Sequence, residues 1–387
     1  MAVDLPSVNG QGEKEPSSRR RWGGRRLLPI VAIGLVAVAV VWWLCQPPPS
    51  WPRRVSVNRG PGAVLALAYA PDGKRLAIHD QKGGLTLLDP ATGELRTVVT
   101  PDAKGGLLTF SREGGILASG QLYFGHTIEV WDMATCQPIA HPEAAADSSL
   151  RDIRFSADGS VLLAASTAPS DTVRVETWNT HSWQRSSVLN ITKPGSNYAE
   201  ISPDGSILAT GTIGGEVAFW DIASGQPRGT FQGLNAWVRA VAFSPDGKTL
   251  AFGQYANGSQ ALFDQPGTVW LLEVPTGRLR ARLQAHAWHL AFSPDGHTLM
   301  AAGAQAYNTS LNRLPPRLKS LLKAYLGIDV KRHQELMSWD LTQLRQTAVL
   351  VDPDTPFSRM AFAPDGRSLA TSFNDGSIVL WDVPDKR

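Results

Sequence analysis

Cysteine is scarce in this chain, and its scarcity limits how the fold can be stabilised. Two cysteines, Cys45 and Cys136, occur in 387 residues. One possible pair cannot build the disulfide framework of a small secreted scaffold, so stability must come from packed apolar side chains. With 43% hydrophobic and 18% charged residues, the composition supplies enough apolar material for a large buried core.

Most of the chain also lacks an excess of either charge. Of the 37 basic and 34 acidic residues, six and three lie within residues 1–26, so the remaining chain carries 31 of each. A neutral domain gives no electrostatic reason to expect a nucleic-acid partner. The excess positive charge belongs to the tail, residues 1–26, which we expect to be disordered because it is polar and rich in Ser, Gly and Arg.

The motifs of several common catalytic sites are missing as well. The sequence has no Gly-x-Ser-x-Gly elbow, no phosphate-binding Gly-x-x-x-x-Gly-Lys and no His-Glu-x-x-His. The best metal candidates are His286 and His289, but no third ligand lies near them in sequence, and two loop or strand-edge histidines are the simpler interpretation. We therefore expect no enzyme activity, no bound metal and no cofactor.

What the chain does contain is a repeated turn. Pro-Asp-Gly, or a variant that keeps the acid and the glycine, occurs seven times. The first six copies are evenly spaced, and a longer interval precedes the last. Six of the seven copies carry an aromatic residue three positions before the acid. A period of about 40 to 45 residues is typical of a repeat architecture. The acidic residues are Asp72, Glu113, Asp158, Asp204, Asp246, Asp295 and Asp365.

Each copy has the chemistry of a tight hairpin turn. In Ser244-Pro245-Asp246-Gly247 the proline presets φ, the aspartate can accept a bond from its own backbone, and the glycine tolerates positive φ. The apolar runs 238–243 and 249–252 flank this turn and are predicted strands. Repeated acids could bind calcium, but the turn chemistry accounts for them without a metal.

A second mark follows each turn later in the repeat: an apolar residue, then an acid or Asn, then a turn. Each repeat therefore predicts four strands, with this pair at the end of the third. The pairs are Leu88-Asp89, Trp131-Asp132, Trp178-Asn179, Trp220-Asp221, Leu272-Glu273, Trp339-Asp340 and Trp381-Asp382.

A lone strand precedes the first repeat, and the last repeat is one strand short. Residues 53–58 alternate Val55 and Val57 with polar residues, while the last repeat stops at Trp381-Asp382. The lone strand is therefore predicted to complete the last sheet, which would close a ring and remove its free edges. The predicted fold class is all-β, a seven-bladed β-propeller closed by an N-terminal strand.

These marks resemble the WD-repeat family of β-propellers over residues 53–387. The resemblance rests on the Pro-Asp-Gly turns and on the tryptophans Trp131, Trp220, Trp339 and Trp381. Family members usually carry Gly-His before the first strand of each repeat, bonded through Ser or Thr to Asp and Trp. This chain has Gly233-Leu234 and Pro353 at two such positions. We therefore expect a weak buried polar network and blades that pack mainly through apolar contacts.

An uncharged segment precedes the propeller. Residues 27–45, from Leu27 to Cys45, could form a transmembrane helix of about 28 Å. A cleaved signal peptide, a lipoprotein signal and a twin-arginine signal are alternatives, but no small-x-small cleavage site is present. Six basic residues before the segment and three just after it predict a cytoplasmic N-terminus and an extracytoplasmic propeller. Residues 46–52 form a Pro-rich linker.

The long loops are expected on one face of the ring. Residues 121–127, 254–267 and 304–335 join second to third strands, and the last of these includes a predicted amphipathic helix that starts at Pro315. Alternating strand direction puts these loops on the face opposite the Pro-Asp-Gly turns. Because the linker is short and fourth strands begin on the turn side, we expect the turns to face the membrane.

Two functional hypotheses follow. The first is a membrane-anchored scaffold that binds a protein or peptide partner through the long-loop face. The alternative is a propeller enzyme or ligand sensor that uses the central channel, with His286 and His289 near its mouth. The candidate partner-binding residues are Tyr123, Trp237, Arg239, Trp288, Arg317 and Lys323.

Overall fold

A computed structural model describes most of the predicted propeller. The described residues are 51–58, 62–99, 105–121, 126–169, 171–232, 236–256, 267–285, 287–306, 333–351 and 357–384. The predicted tail and membrane segment lie outside them. Within the described ranges, we find no helix long and apolar enough to cross a membrane.

The described chain forms seven antiparallel sheets of four strands each, which confirms the predicted seven-bladed propeller. The first strands of the blades are β2 Val64–Tyr69, β6 Leu107–Phe110, β10 Ser149–Phe155, β14 Ser196–Ile201, β18 Ala236–Phe243, β22 His289–Phe292 and β26 Phe357–Phe362. The second strands are β3 Leu76–Asp80, β7 Ile116–Gly120, β11 Val161–Ala168, β15 Ile207–Thr212, β19 Thr249–Ala256, β23 Thr298–Ala306 and β27 Ser368–Phe373.

The third strands end at the predicted Trp-Asp marks. They are β4 Leu85–Leu88, β8 Ile128–Asp132, β12 Thr172–Asn179, β16 Val217–Asp221, β20 Thr268–Glu273, β24 His333–Asp340 and β28 Ser377–Asp382. The fourth strands are β5 Leu95–Val99, β9 Gln137–Ala140, β13 Arg185–Thr192, β17 Pro227–Phe231, β21 Leu279–Gln284, β25 Arg345–Val351 and, for blade seven, β1 Arg53–Asn58.

The first strands form the inner ring. Each contacts the first strand of the next blade, and β26 contacts β2, so the ring is continuous. These strands run from the side of the long loops, which we call the loop face, to the side of the Pro-Asp-Gly turns, the turn face. Residues at the start of a first strand therefore lie near the loop-face mouth of a central channel.

The closing strand is the predicted one. β1 pairs antiparallel with β28, with Val57 opposite Ile378, and the Asp382 N–H donates to the Pro52 carbonyl at 2.9 Å. Trp51 is buried in the apolar cluster shared by blades six and seven. The Arg53 guanidinium lies 5.0 Å from the centroid of the Trp381 ring, a cation–π contact. Together these contacts join the first described residues to the last blade.

The core consists of interfaces between blades. Each of seven apolar clusters takes residues from two adjacent blades, and the seven together cover every junction of the ring. At the junction of blades five and six, Val269 and Leu271 pack with Phe292 and Trp339. Every sheet is therefore buried on both faces. This arrangement explains why all four residues of the third strand β4 are buried.

The repeated turns form as their chemistry predicts. In blade five the Gly247 N–H donates to the Ser244 carbonyl at 2.9 Å, and Asp246 Oδ1 accepts from Ser244 Oγ at 2.6 Å and from the Lys248 N–H at 3.0 Å. The seven turn glycines have φ between +68° and +76°. All six motif aspartates, Asp72, Asp158, Asp204, Asp246, Asp295 and Asp365, accept from the N–H two residues later.

Turns of neighbouring blades also lie against one another. A Cβ built on Gly296 would lie 3.7 Å from Cδ of Pro245, the turn proline of the preceding blade, and Gly366 stands in the same relation to Pro294. The motif therefore does more than close hairpins, because its proline is also packed against the next turn. Blade three has Ala157 in place of this proline.

Among the described residues, the tryptophans that end the third strands differ in their hydrogen bonds. The indole N–H of Trp381 donates to Thr371 Oγ1 at 2.8 Å, and that of Trp220 donates to Thr210 Oγ1 at 3.0 Å. Blade six has Ala301 at the position of these threonines, two residues after the partner of the tryptophan. Trp339 Nε1 and Trp131 Nε1 are buried and have no acceptor among the described residues.

Gly159 and Gly115 form a matched pair that isolates the cost of positive φ in a turn. A Cβ at either position would meet nothing within 4 Å, but only Gly159 of this pair has a left-handed φ, +73°. We expect Gly159→Ala to lower the free energy of unfolding by about 1–2 kcal/mol. Gly115→Ala should leave it unchanged or raise it by about 0.5 kcal/mol. Urea titration of both variants measures the difference, and equal stabilities would contradict the assigned role of the turn glycine.

Candidate partner-binding site at the channel mouth

The first strands are irregular where they approach the loop face. In β2, β10, β14, β18 and β26 the pairing register shifts at the residue four positions before the last residue of the first strand. Such bulges redirect side chains. The bulged residues are Leu65, Arg151, Asn197, Arg239 and Ser358.

A cavity of about 260 Å³ occupies this end of the channel, and residues from six blades line it. Trp288 and Gly106 precede their strands, which places this end of the cavity at the loop face. We call the cavity and its lining the channel mouth. Its lining residues are Gly106, Leu107, Arg151, Asp152, Tyr198, Ala199, Glu200, Ala240, Val241, Trp288, His289, Leu290 and Arg359.

Two arginines on opposite parts of the ring reach this cavity. Arg151 Nε donates to Thr167 Oγ1 at 2.8 Å, which ties the side chain to the second strand of its own blade. Arg359 Nη1 donates to the Ser358 carbonyl at 2.9 Å and lies 3.2 Å from His289 Nε2. Because arginine can only donate, His289 accepts at Nε2, and its neutral form carries the proton on Nδ1.

Aromatic side chains border the same cavity. Trp288 is partly buried, and its backbone N–H donates to the Ala302 carbonyl at 2.6 Å, which extends the pairing of β22 by one residue. Tyr198 approaches from blade four. The ring of His289 lies 5.8 Å from that of Phe357, in a tilted arrangement. The channel mouth thus combines aromatic side chains with two arginines.

Deeper in the wall, two acids and an arginine connect three blades. Asp152 Oδ2 accepts from the Ile201 N–H at 2.9 Å, and Glu200 Oε1 accepts from the Phe243 N–H at 3.3 Å. Arg154 Nη2 lies 3.8 Å from both carboxylates. Each acid therefore bonds the backbone of the following blade, and Arg154 bridges the two acids.

Burial changes the ionisation of this pair. Burial, strengthened by the nearby Asp152 carboxylate, raises the pKa of Glu200 from 4.5 to about 8, and Arg154 and the Phe243 N–H oppose the shift. Burial also raises the pKa of Asp152, against the effects of Arg154 and the Ile201 N–H. Glu200 is therefore mainly protonated at neutral pH, and the acids contribute less negative charge to the channel than their number implies.

The predicted partner-binding residues fall into three groups. Trp288 lies at the channel mouth, together with the metal candidate His289. Trp237 and Arg239 belong to β18, and their side chains lie outside what the structure describes. Tyr123, Arg317 and Lys323 lie outside the described residues, as does the second metal candidate, His286.

Two of the three predicted long loops are shorter than predicted, because the strands beside them are longer. β19 continues through Ala256, because Tyr255 pairs with Trp237 and lengthens the hairpin. β23 continues through Ala306 and β24 begins at His333, so strand pairing also extends into both ends of the blade-six insertion. No group of three or more His, Cys, Asp or Glu side chains that could hold a metal occurs in the part of the chain described.

Sequence reasoning missed Arg151, Tyr198 and Arg359. A signal for them was present, because the repeats can be aligned on the last residue of each first strand. At three and four positions before it, blades one and two carry only small or apolar residues, whereas blades three, four and seven carry Arg151, Tyr198 and Arg359. Large polar residues at positions facing the axis of a ring mark its channel.

The family model described as "WD domain, G-beta repeat" matches residues 225–259 and 345–382. The chain is a seven-bladed β-propeller that contains WD40 repeats. The two matched segments run from β17 into β19 and from β25 through β28, so each of them crosses from one blade to the next. This agrees with a repeat unit that is offset from the structural blade by one strand.

Curated relatives share the repeat at low identity. SEC12-like protein 2 of Arabidopsis thaliana is 28% identical over 55% of this chain and 56% of its own length. The WD repeat-containing protein SL1-17 of Schistosoma mansoni is 25% identical over 49% of this chain and 50% of its own. Small ribosomal subunit protein RACK1y of Oryza sativa subsp. japonica is 24% identical over 47% and 45%. The chain thus matches about half the length of these relatives.

The raised pKa of Glu200 predicts a specific pH dependence of stability. Between about pH 4.5 and 8 the folded chain retains a proton that the unfolded chain releases. This group therefore lowers the free energy of unfolding as pH rises through that window, by at most about 1.4 kcal/mol per pH unit. Glu200→Gln cannot ionise and should show a flatter decline in chemical denaturation from pH 5 to 8.

The exposed turn residue Glu113 provides the control for that measurement. Glu113→Gln removes a carboxylate from an exposed turn residue and is measured beside wild type and Glu200→Gln under the same conditions. Parallel curves for wild type and Glu200→Gln across the whole window would contradict the assigned burial of this carboxyl group.

Proposed function

We propose that this propeller is a scaffold that binds a protein or peptide partner over the channel mouth. WD-repeat propellers generally mediate protein–protein interactions and are generally not enzymes, which supports this class of function. The observation that carries the proposal is the composition of the channel mouth. One Trp, one Tyr and two Arg, supplied by four different blades, border a single cavity.

These residue types are the ones that contribute most to binding energy at protein interfaces. Trp288 and Tyr198 offer rigid surface that loses little side-chain entropy on binding, and the arginines offer charged donors. A cavity of about 260 Å³ is large enough for one or two side chains of a partner, not for a folded domain. The partner would therefore insert part of a segment while the rest of it lies across the surrounding loops.

The loops around the channel mouth would enlarge this surface. Residues 121–127, 257–267 and 307–332 join second to third strands, the connections that lie on the loop face. Tyr123, Trp237, Arg239, Arg317 and Lys323 remain candidates for contacts around the rim. The opposite face carries the repeated turns, whose polar groups already bond one another.

Trp288 is the residue whose loss should weaken binding most. The partner would first be identified by proximity labelling of the full chain in its native membrane and then purified. We expect Trp288→Ala to weaken its binding at least ten-fold, or about 1.4 kcal/mol, measured by surface plasmon resonance. Lys248→Ala changes an exposed residue of a Pro-Asp-Gly turn and should leave affinity unchanged.

A second variant tests the rim. Replacement of residues 307–332 by a short Gly-Ser linker should also weaken capture of the same partner. Unchanged affinity in both Trp288→Ala and this deletion, with binding lost in Lys248→Ala, would place the interaction on the turn face and contradict the proposal.

We further propose that residues 27–45 anchor the chain in a membrane, with the N-terminus in the cytoplasm and the propeller outside. The support is the uncharged run from Leu27 to Cys45 and the excess of basic residues before it.

Cysteine labelling in intact cells tests this topology. In a chain with Cys45 and Cys136 replaced by serine, a thiol introduced as Ser182→Cys in the exposed turn after β12 should react with a membrane-impermeant maleimide. A thiol introduced as Ser17→Cys should react only after permeabilisation. The reverse pattern would invert the topology, and labelling of both without permeabilisation would remove the anchor.

A further inference from the structure

We propose that a segment of the partner leaves the channel mouth across blade four and places an apolar side chain on Ile213. This inference rests on the proposed function and adds a second contact to the same binding surface. Ile213 directly follows β15, so it lies on the loop face. It is 48% exposed, more than any other large apolar side chain in the described part of the chain. The others belong to outer strands or to the turn after β24, and they are Leu95, Ile139, Val188 and Leu344.

Blade four is lower on the loop face than the blades on either side of it. Its second strand, β15, has 6 residues, whereas β11 of blade three and β19 of blade five have 8 each. All three begin in the same register, opposite the last residue of the third strand of their own blade. Two residues of strand span about 7 Å, so both neighbouring second strands extend further. We call the gap above residues 213–216 the blade-four notch.

Backbone hydrogen bonds fix the position of Ile213 in this notch. The Ile213 N–H donates to the Gly195 carbonyl at 3.0 Å, and the Gly195 N–H donates to Asp171 Oδ1 of blade three at 2.9 Å. Lys193 Nζ and Glu216 Oε1 form an ion pair of 2.6 Å beside it. An exposed apolar side chain on a fixed backbone loses little conformational entropy when a partner covers it.

Blades one and seven are as low as blade four, but their turns are polar. The position of Ile213, the first after the second strand, is taken by Gln81 in blade one and by Asn374 in blade seven. Both are exposed, and the residues that follow them are Lys82 and Asp375. An apolar side chain of a partner would be buried favourably against Ile213, whereas at the other two turns it would remove polar groups from water. The chemistry of the turns therefore favours blade four.

The blade-four notch is continuous with the channel mouth. Tyr198, which lines the cavity, pairs with Gly211, two residues before Ile213 in the same hairpin. The turn lies between second and third strands, about one and a half strand spacings, or about 7 Å, outside the first strand. An extended segment covers that distance in about two residues. The partner should therefore carry an apolar residue about two to four positions from the residue that enters the cavity.

The experiment uses random dodecapeptides displayed on phage and selected on the full wild-type chain. The leading peptides are synthesised, and fluorescence anisotropy gives their affinities for wild type, Ile213→Ala, Ile213→Leu and Trp288→Ala. Gln81→Ala and Asn374→Ala change the matching turn position of the other two low blades and are the matched controls. A series of peptides in which each apolar residue in turn is replaced by alanine locates the contact.

We expect Ile213→Ala to weaken peptide binding about five-fold or more, because it removes apolar surface that the peptide covers. Ile213→Leu keeps the apolar volume and should stay within about three-fold of wild type. One apolar residue of the peptide should lose most of its effect on affinity in Ile213→Ala, since the two changes remove the same contact. Both controls should bind as wild type does, and unchanged thermal midpoints would show that each variant is folded.

Other outcomes would overturn the inference in distinguishable ways. Peptides that require Trp288 but bind Ile213→Ala as tightly as wild type would leave the proposed function intact and exclude the contact at blade four. Losses in Gln81→Ala or Asn374→Ala instead would direct the segment across blades one and seven. Indifference to every variant, or a selection that enriches no peptide, would count against the proposed function and the inference together.

Discussion

Every sheet of this protein must be buried on both faces, and the rest of the structure depends on that requirement. The seven apolar clusters lie between blades, and no blade has an apolar core of its own among the described residues. An incomplete ring would expose two apolar faces and two strand edges. The pairing of β1 with β28, with Trp51 packed beneath it, meets this requirement by joining the two ends of the propeller.

The same requirement separates the two faces of the ring. On the turn face, seven copies of one motif repeat the same backbone turn, and five of the turn glycines lie against the proline of the preceding turn, which leaves little freedom for variation. At the channel, first strands converge without another sheet against them. Side chains that face the channel are not packed between two blades. Four charged residues occur there: Arg151, Asp152, Arg154 and Glu200. Chemical variety is therefore expected at the axis and in the loops around it.

Much of the fold could be predicted from the sequence because its determinants are local and repeated. The Pro-Asp-Gly turn fixes a hairpin wherever it occurs, and the lone strand 53–58 could be assigned by counting the strand that the last repeat lacks. The channel mouth could not be predicted in this way. Arg151 and Arg359 lie four blades apart in the sequence, and only the closed ring brings them to one cavity. Trp288 could be predicted because it stands directly before a first strand. The missing acceptor for the indole N–H of Trp339 could not, because it depends on a single alanine, Ala301, in the neighbouring strand.

Hydrogen exchange of the full chain, with and without its bound partner, tests the central claim most directly. If the loop face of the channel is the binding surface, protection should rise at the first residues of β10, β14, β22 and β26 and in the loops beside them, and the seven turns should exchange as in the free chain. Protection confined to the Pro-Asp-Gly turns, with no change at the starts of the first strands, would contradict the account.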